Sequence, residues 1–182
     1  MVSGSLRTGS TNTAVLQTAA AVTPAGTTAT LFDGLANLPH FNPDHDVEPL
    51  PSAIVELRAA VGRADALLVS TPEYAGALPG SFKNALDWLV GGTEITNKPT
   101  AWINVSSSLT HAAGAHASLR AVLGYVDAHI VEAACAHIPV DRAAVGPDGK
   151  VTDPALTAQV TASVRALVAH VISPQGQADH AP

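Results

Sequence analysis

The chain has 182 residues, 47% hydrophobic and 13% charged, which suits one domain with a substantial core and excludes a disordered chain. Nine Lys+Arg against fifteen Asp+Glu, a net charge of -6, leave no footprint for nucleic acid and make an acidic lipid surface a poor partner. Cys135 is the only cysteine, so no internal disulfide forms. With no leader before the first motif and no apolar run near the roughly 18 residues of a membrane span, a cytoplasmic location is expected.

In chain order, only Met1, Val2 and Ser3 precede a Gly/Ser-rich loop, Gly4-Ser5-Leu6-Arg7-Thr8-Gly9-Ser10-Thr11-Asn12. A strand of ordinary length, about 5–6 residues, does not fit there. Either several apolar residues naturally precede Met1, or a stub strand suffices. Residues 28–32 are a weak strand candidate, and residues 33–51, rich in Pro, Asn, Asp and His, read as a loop. Ile54, Leu57 and Val61 follow helical spacing. Residues 66–70 read as a strand buried on both faces, because they do not alternate.

A second loop follows, Thr71-Pro72-Glu73-Tyr74-Ala75-Gly76-Ala77-Leu78-Pro79-Gly80, running into Ser81-Phe82-Lys83-Asn84-Ala85-Leu86-Asp87-Trp88. Residues 100–105 and 129–138 are further strands. Leu119, Val122, Leu123 and Val126, and later Leu156, Val160, Val164, Leu167 and Val171, mark two helices with core-facing stripes. Residues 146–149 form a turn, and residues 173–182 are expected to be a flexible tail beyond a single domain of residues 1–172. Strands alternating with helices point to an α/β fold with a parallel sheet.

The first loop has the chemistry of a phosphate monoester site. A helix N-terminus presents free N–H groups and a partial positive charge. Ser5, Ser10, Thr11 and Asn12 add side-chain donors, and Arg7 adds a cation able to bond phosphate through two N–H groups. Ser10 stands where a Walker A loop requires Lys, and no Gly-x-Gly-x-x-Gly occurs, so neither a triphosphate nor an NAD fingerprint is indicated. The second loop leaves the C-terminal end of a strand, where ligands bind in open α/β sheets. Pro72 and Pro79 stiffen it, Gly76 and Gly80 allow close backbone approach, and Tyr74 offers a ring or a hydroxyl. Read alone, each loop also fits an ordinary turn with a solvated Arg7 and a Glu73 and Tyr74 that merely tie the chain down.

Taken together, Gly-Ser-Leu-Arg-x-Gly-Ser-x-Asn and Thr-Pro-Glu-Tyr-x-Gly-x-x-Pro-Gly-x-x-Lys-Asn-Ala-Leu-Asp-Trp resemble the NADPH-dependent FMN reductases. The likeness runs from Ser3 to about Pro139. It implies a flavodoxin-like three-layer sandwich with a five-stranded parallel sheet in the order 2-1-3-4-5, its first strand truncated. It implies that Ser5, Arg7, Ser10 and Asn12, beside Thr11, hold the FMN phosphate. Pro72, Glu73 and Tyr74 would line the isoalloxazine with Ala75 and Gly76 alongside, and Ser106, Ser107 and Ser108 would close its other side. The implied reaction is ping-pong: NADPH or NADH gives a hydride to bound FMN and leaves, and a small-molecule acceptor such as a flavin or quinone then takes the electrons. No catalytic acid or base is assigned, because the cofactor carries such chemistry. The resemblance also implies a homodimer or dimer of dimers, with the helix through Trp88 at the contact.

Two departures stand out. Ala75 replaces an Asn found in many members, which would remove one side-chain contact near the flavin, and Ser107-Ser108-Leu109 replaces Ser-Pro-Gly. A flavodoxin-like electron carrier without enzymatic activity is the alternative, although such proteins favour a more acidic surface. A homologue that has lost flavin is a third reading. His40 and His45 lie in a loop, and His111 and His116 are five apart, so no zinc site is expected. Without a Gly-x-Ser-x-Gly elbow, Ser-His-Asp hydrolysis is not supported either.

Overall fold

The computed structural model describes residues 1–108 and 110–173, so Leu109 and nearly all of the expected tail lie outside the described residues. Five parallel strands form one sheet: β1 (Val2–Ser3), β2 (Leu67–Ser70), β3 (Pro99–Asn104), β4 (His129–Ile130) and β5 (Ala136–His137). Their order is β1-β2-β3-β4, and β5 also pairs with β3. Five helices cover the faces: α1 (Thr11–Ala21), α2 (Ser52–Arg63), α3 (Gly80–Val90), α4 (Ala113–Tyr125) and α5 (Pro154–Ile172).

β2 is buried along its whole length, as its unbroken apolar run requires. Leu67 and Val69 point into a core built with Ile54, Leu57, Phe82, Leu86, Trp88, Leu119 and Leu123 from α2, α3 and α4. Leu68 points the other way, joining Val15, Leu16, Val160, Val164 and Leu167 from α1 and α5. Two apolar cores therefore sandwich one sheet, the three-layer arrangement of flavodoxin-like proteins.

The edges differ in detail from the sequence expectation. β1 is a two-residue stub, yet it is paired on both sides. Val2 and Ser3 are in register with Val69 and Ser70, and a single bridge joins Val2 to Phe32. Phe32 N–H donates to the Met1 carbonyl at 2.9 Å. Residues 28–32 thus contribute one bridge rather than a strand. The stretch 129–138 is two short pieces, split by a helical turn at Glu132–Ala134 that places the Glu132 carboxylate against Arg120. Both pieces pair with β3, so together they act as one interrupted edge.

The 33–51 loop contains two short helical turns and is tied to α3, where Asn84 and Trp88 both donate to the Pro39 carbonyl. Contrary to the sequence expectation, α5 is long and apolar enough to cross a membrane by length and composition. Its buried stripe of Val160, Val164 and Leu167 instead lies in the second core.

Candidate active site

The first loop owes its shape to β1. Gly4 N–H donates to Ser70 O at 2.9 Å, continuing the β1–β2 ladder by one residue. A β-carbon on Gly4 would stand 2.2 Å from Thr71 Oγ1, so only glycine brings the loop this close to β2. The chain then turns at Gly9, whose φ of 66° is left-handed, and enters α1. Ser10 is the cap: its Oγ accepts from Asn12 N–H at 3.2 Å. Asn12 is buried, and its Oδ1 accepts from Ser70 Oγ at 2.9 Å. Its oxygen therefore fastens α1 to β2, and only its amide nitrogen remains for a ligand. Among the described residues, the N–H groups of Gly9, Ser10 and Thr11 have no acceptor, and the Arg7 side chain has no carboxylate partner. Free donors around a cation at a helix N-terminus suit an anion.

The second loop is a tight hairpin turn. Tyr74 N–H donates to Ala77 O at 3.0 Å and Ala77 N–H to Tyr74 O at 3.1 Å. The two residues between them, Ala75 and Gly76, have φ of 51° and 76°, the left-handed pair that a type I′ turn demands. Asn-Gly is the favoured pair for this turn, so an Asn in place of Ala75 would have a backbone role, independent of any contact with a ligand. The Glu73 side chain reaches α4: its Oε2 accepts from Ala115 N–H at 3.0 Å, satisfying one free donor at the start of the helix. A β-carbon on Gly114 would meet Gly76 O at 2.1 Å, so loop and helix are in close backbone contact.

The third loop follows β3. Ser106 Oγ donates to Ser108 O and His111 O, and Ser107 Oγ bonds His111 Nδ1 at 3.0 Å. Below it, His116 Nδ1 bonds Ala112 O at 2.8 Å, while Nε2 is buried without a partner. Burial pushes this imidazole below its ordinary pKa, so it is neutral at physiological pH. Burial pushes the half-buried Cys135 thiol upward, away from nucleophilic chemistry.

The three loops enclose one cavity of about 610 Å³ at the C-terminal edge of the sheet. Of the residues singled out in the sequence, Ser5, Arg7, Ser10, Thr11, Asn12, Pro72, Tyr74 and Ser107 line it. Glu73, Ala75, Gly76 and Ser106 do not; they shape the loops whose neighbours do. Pro139, Val140, Asp141 and Arg142 also line the cavity, and sequence reasoning missed them. The available signal was positional, since whatever follows a strand of a parallel sheet emerges at this edge. Among the described residues, no three His, Cys, Asp or Glu side chains are grouped to hold a metal ion.

The family profile described as NADPH-dependent FMN reductase matches residues 1–142. The chain belongs to this family. An NAD(P)H-dependent FMN reductase of Pseudomonas aeruginosa is 38% identical over 130 residues, 70% of either chain. A quinone reductase of Escherichia coli K12 is 30% identical over 131 residues, again 70% of either chain. Among solved structures, FerB of Paracoccus denitrificans, a flavoenzyme NAD(P)H:(acceptor) oxidoreductase, superposes with a TM-score of 0.77 at 31% identity. That match covers 93% of this chain and 96% of FerB. The FMN reductase family match ends at Arg142, so it takes in every residue that lines the cavity.

Proposed function

We propose that this chain is an FMN-dependent NAD(P)H oxidoreductase that draws a hydride from NADPH or NADH and delivers the electrons to a small-molecule acceptor such as a flavin or quinone. One observation carries this reading in a member of the family. The helix N-terminus with free N–H groups, Arg7 and the turn bearing Tyr74 converge on a single cavity at the ligand-binding edge of the sheet.

These groups fit FMN. The free donors of Gly9, Ser10 and Thr11, the hydroxyls of Ser5, Ser10 and Thr11, the amide nitrogen of Asn12 and the Arg7 guanidinium would hold the phosphate. Pro72, Tyr74 and Ser107 would border the ring, with the Tyr74 side chain free to cover it at 52% exposure. Glu73, Ala75, Gly76 and Ser106 fix the two loops that border the ring. When bound, FMN supplies the two-electron chemistry, and the protein contributes binding and orientation. The cavity faces solvent, which suits an enzyme whose donor and acceptor take turns at one face.

The reaction needs reduced pyridine nucleotide, consistent with a cytoplasmic protein. We further propose a homodimer formed through the outer face of α3 and α4. Trp88 is fully buried in its own core, so the residues available for that contact are Val90 and Tyr125, with Lys83 and Asp87 beside them.

The deciding experiment is the visible absorption spectrum of the protein with FMN, followed by anaerobic addition of NADPH. We expect bound flavin that bleaches promptly. Bound flavin that stays oxidised would instead make the protein an electron carrier served by a separate reductase, and folded protein that binds no flavin would overturn the reading.

A further inference from the structure

The cavity holds a second cation that the two loop motifs do not contain. Beyond β5, the chain continues along β3: Ile138 N–H donates to Asn104 O at 2.8 Å and Val140 N–H to Val105 O at 3.1 Å. This pairing carries the next residues past the strand ends and up to the first loop. There Asp141 Oδ1 accepts from Ala143 N–H at 2.8 Å, fixing a helical turn over Arg142–Ala144. The turn is held from behind by Thr152 N–H on Ala144 O at 2.8 Å, and the neighbouring Val151, bridged to Val145, donates its N–H to Thr18 Oγ1 of α1 at 2.9 Å.

From this braced backbone the Arg142 side chain reaches over the first loop. Its Nη2 lies 3.6 Å from where a β-carbon on Gly9 would stand. Among the described residues Arg142 has no carboxylate partner, even though Asp141 is adjacent, because the Asp141 carboxylate serves the turn. The charged residues lining the cavity are thus Arg7, Arg142 and Asp141, one positive charge in excess. A phosphate monoester near neutral pH carries about 1.5 to 2 negative charges, more than Arg7 alone can balance.

We propose that Arg142 is a second phosphate-binding residue, closing the phosphate end of the site from the α5 side and setting the preference for FMN over unphosphorylated flavin. This rests on the FMN reading above. Two guanidiniums on one phosphate divide its oxygens between two elements: Arg7 sits within the loop, while Arg142 is anchored to the far edge of the sheet. At Gly9 a β-carbon would be in ordinary contact with the guanidinium, and the left-handed φ of 66° is what favours glycine there.

The test titrates the flavin-stripped full chain with FMN and with riboflavin, following quenching of flavin fluorescence, for the parent protein and for Arg142→Ala, Arg142→Lys and Arg7→Ala. A charge-assisted hydrogen bond corresponds to about tenfold or more in affinity. Arg142→Ala is therefore expected to weaken FMN at least about tenfold and leave riboflavin unchanged. Arg142→Lys should recover part of the loss, and added salt should shrink the difference. A purely structural role would weaken both flavins equally, and that result overturns the inference. So does an unchanged preference for FMN, or a loss confined to the KM for NADPH. If the parent protein binds both flavins equally, the phosphate assignment itself has failed. If only Arg142→Ala retains the parent's preference, Arg142 alone is excluded. Should Arg142→Ala unfold, the Arg142→Lys comparison still decides, since it preserves the charge but not the two-pronged geometry.

Discussion

At the scale of single residues, Ala75 is the position where sequence and structure disagree most clearly. It holds φ of 51° in a turn whose next residue, Gly76, takes the same hand without strain. An L-residue in that region costs roughly 1–2 kcal/mol, and Asn is the side chain that tolerates it best after glycine. Ala75→Asn should therefore stabilise the flavin-free protein by about 1 kcal/mol, equivalent to a rise of roughly 2–4 °C in Tm for a chain of this size. Ala75→Val should lower it, because a β-branched residue is worse still at positive φ. Differential scanning calorimetry on both variants settles the point, and an Asn variant no more stable than the parent would refute the strain argument. Sequence alone did not show this: the spacing of the second loop marked a turn, but the turn type depends on the Tyr74–Ala77 pairing that only coordinates reveal.

Among the elements, α4 shows how the site is held. Two of its glycines have opposite surroundings: a β-carbon on Gly114 would meet Gly76 O at 2.1 Å, whereas one on Gly124 meets nothing within 4 Å. Gly124→Ala should gain up to about 0.5–1 kcal/mol of helix stability. Gly114→Ala should lose about 1–3 kcal/mol, since the obstructing atom is backbone and cannot swing aside. It should also weaken FMN, because the displaced loop carries Tyr74. Urea unfolding of the pair is the measurement, and shifts of the same sign would remove the claim that this contact braces the loop.

The same scale explains which strands were readable. β2 and β3 are buried on both faces and therefore unbroken in sequence. The 129–138 edge is broken by a turn whose exposed Glu132 meets Arg120 on α4, and that partner is distant in sequence. Arg142 was missed for a related reason. Its neighbourhood is created by the register of β5 on β3 and by the bracing of residues 144–152, neither of which leaves a local pattern. The turn and helix cap of the first loop were legible because capping and turn residues are chosen by chemistry within a few positions of one another.

For the whole molecule, the open question of assembly has a physical handle on the surface opposite the buried side of α3 and α4. Phe41, Val90, Val122 and Tyr125 border a shallow groove, with Lys83 and Asp87 on the same face. Tyr125 is 78% exposed, a large aromatic side chain left in water on a monomer. A twofold contact places one patch against its own copy, so apolar residues meet apolar ones and the Lys83–Asp87 pair can face the reverse pair of the partner. Aromatic residues at the centre of such a contact commonly dominate its energy, at about 2 kcal/mol or more each. Tyr125→Glu would bury an unpaired charge there, while in the monomer it only adds a carboxylate to an exposed surface. The variant should therefore keep its Tm measured as a monomer and its FMN affinity, yet sediment at half the parent's mass at micromolar concentration. Analytical ultracentrifugation reads this directly. A parent that already sediments as a monomer, or a variant that remains a dimer, would move the interface elsewhere or remove it. None of the residues that line the cavity in this chain lies on α3 or α4, so loss of the dimer is expected to leave flavin binding intact.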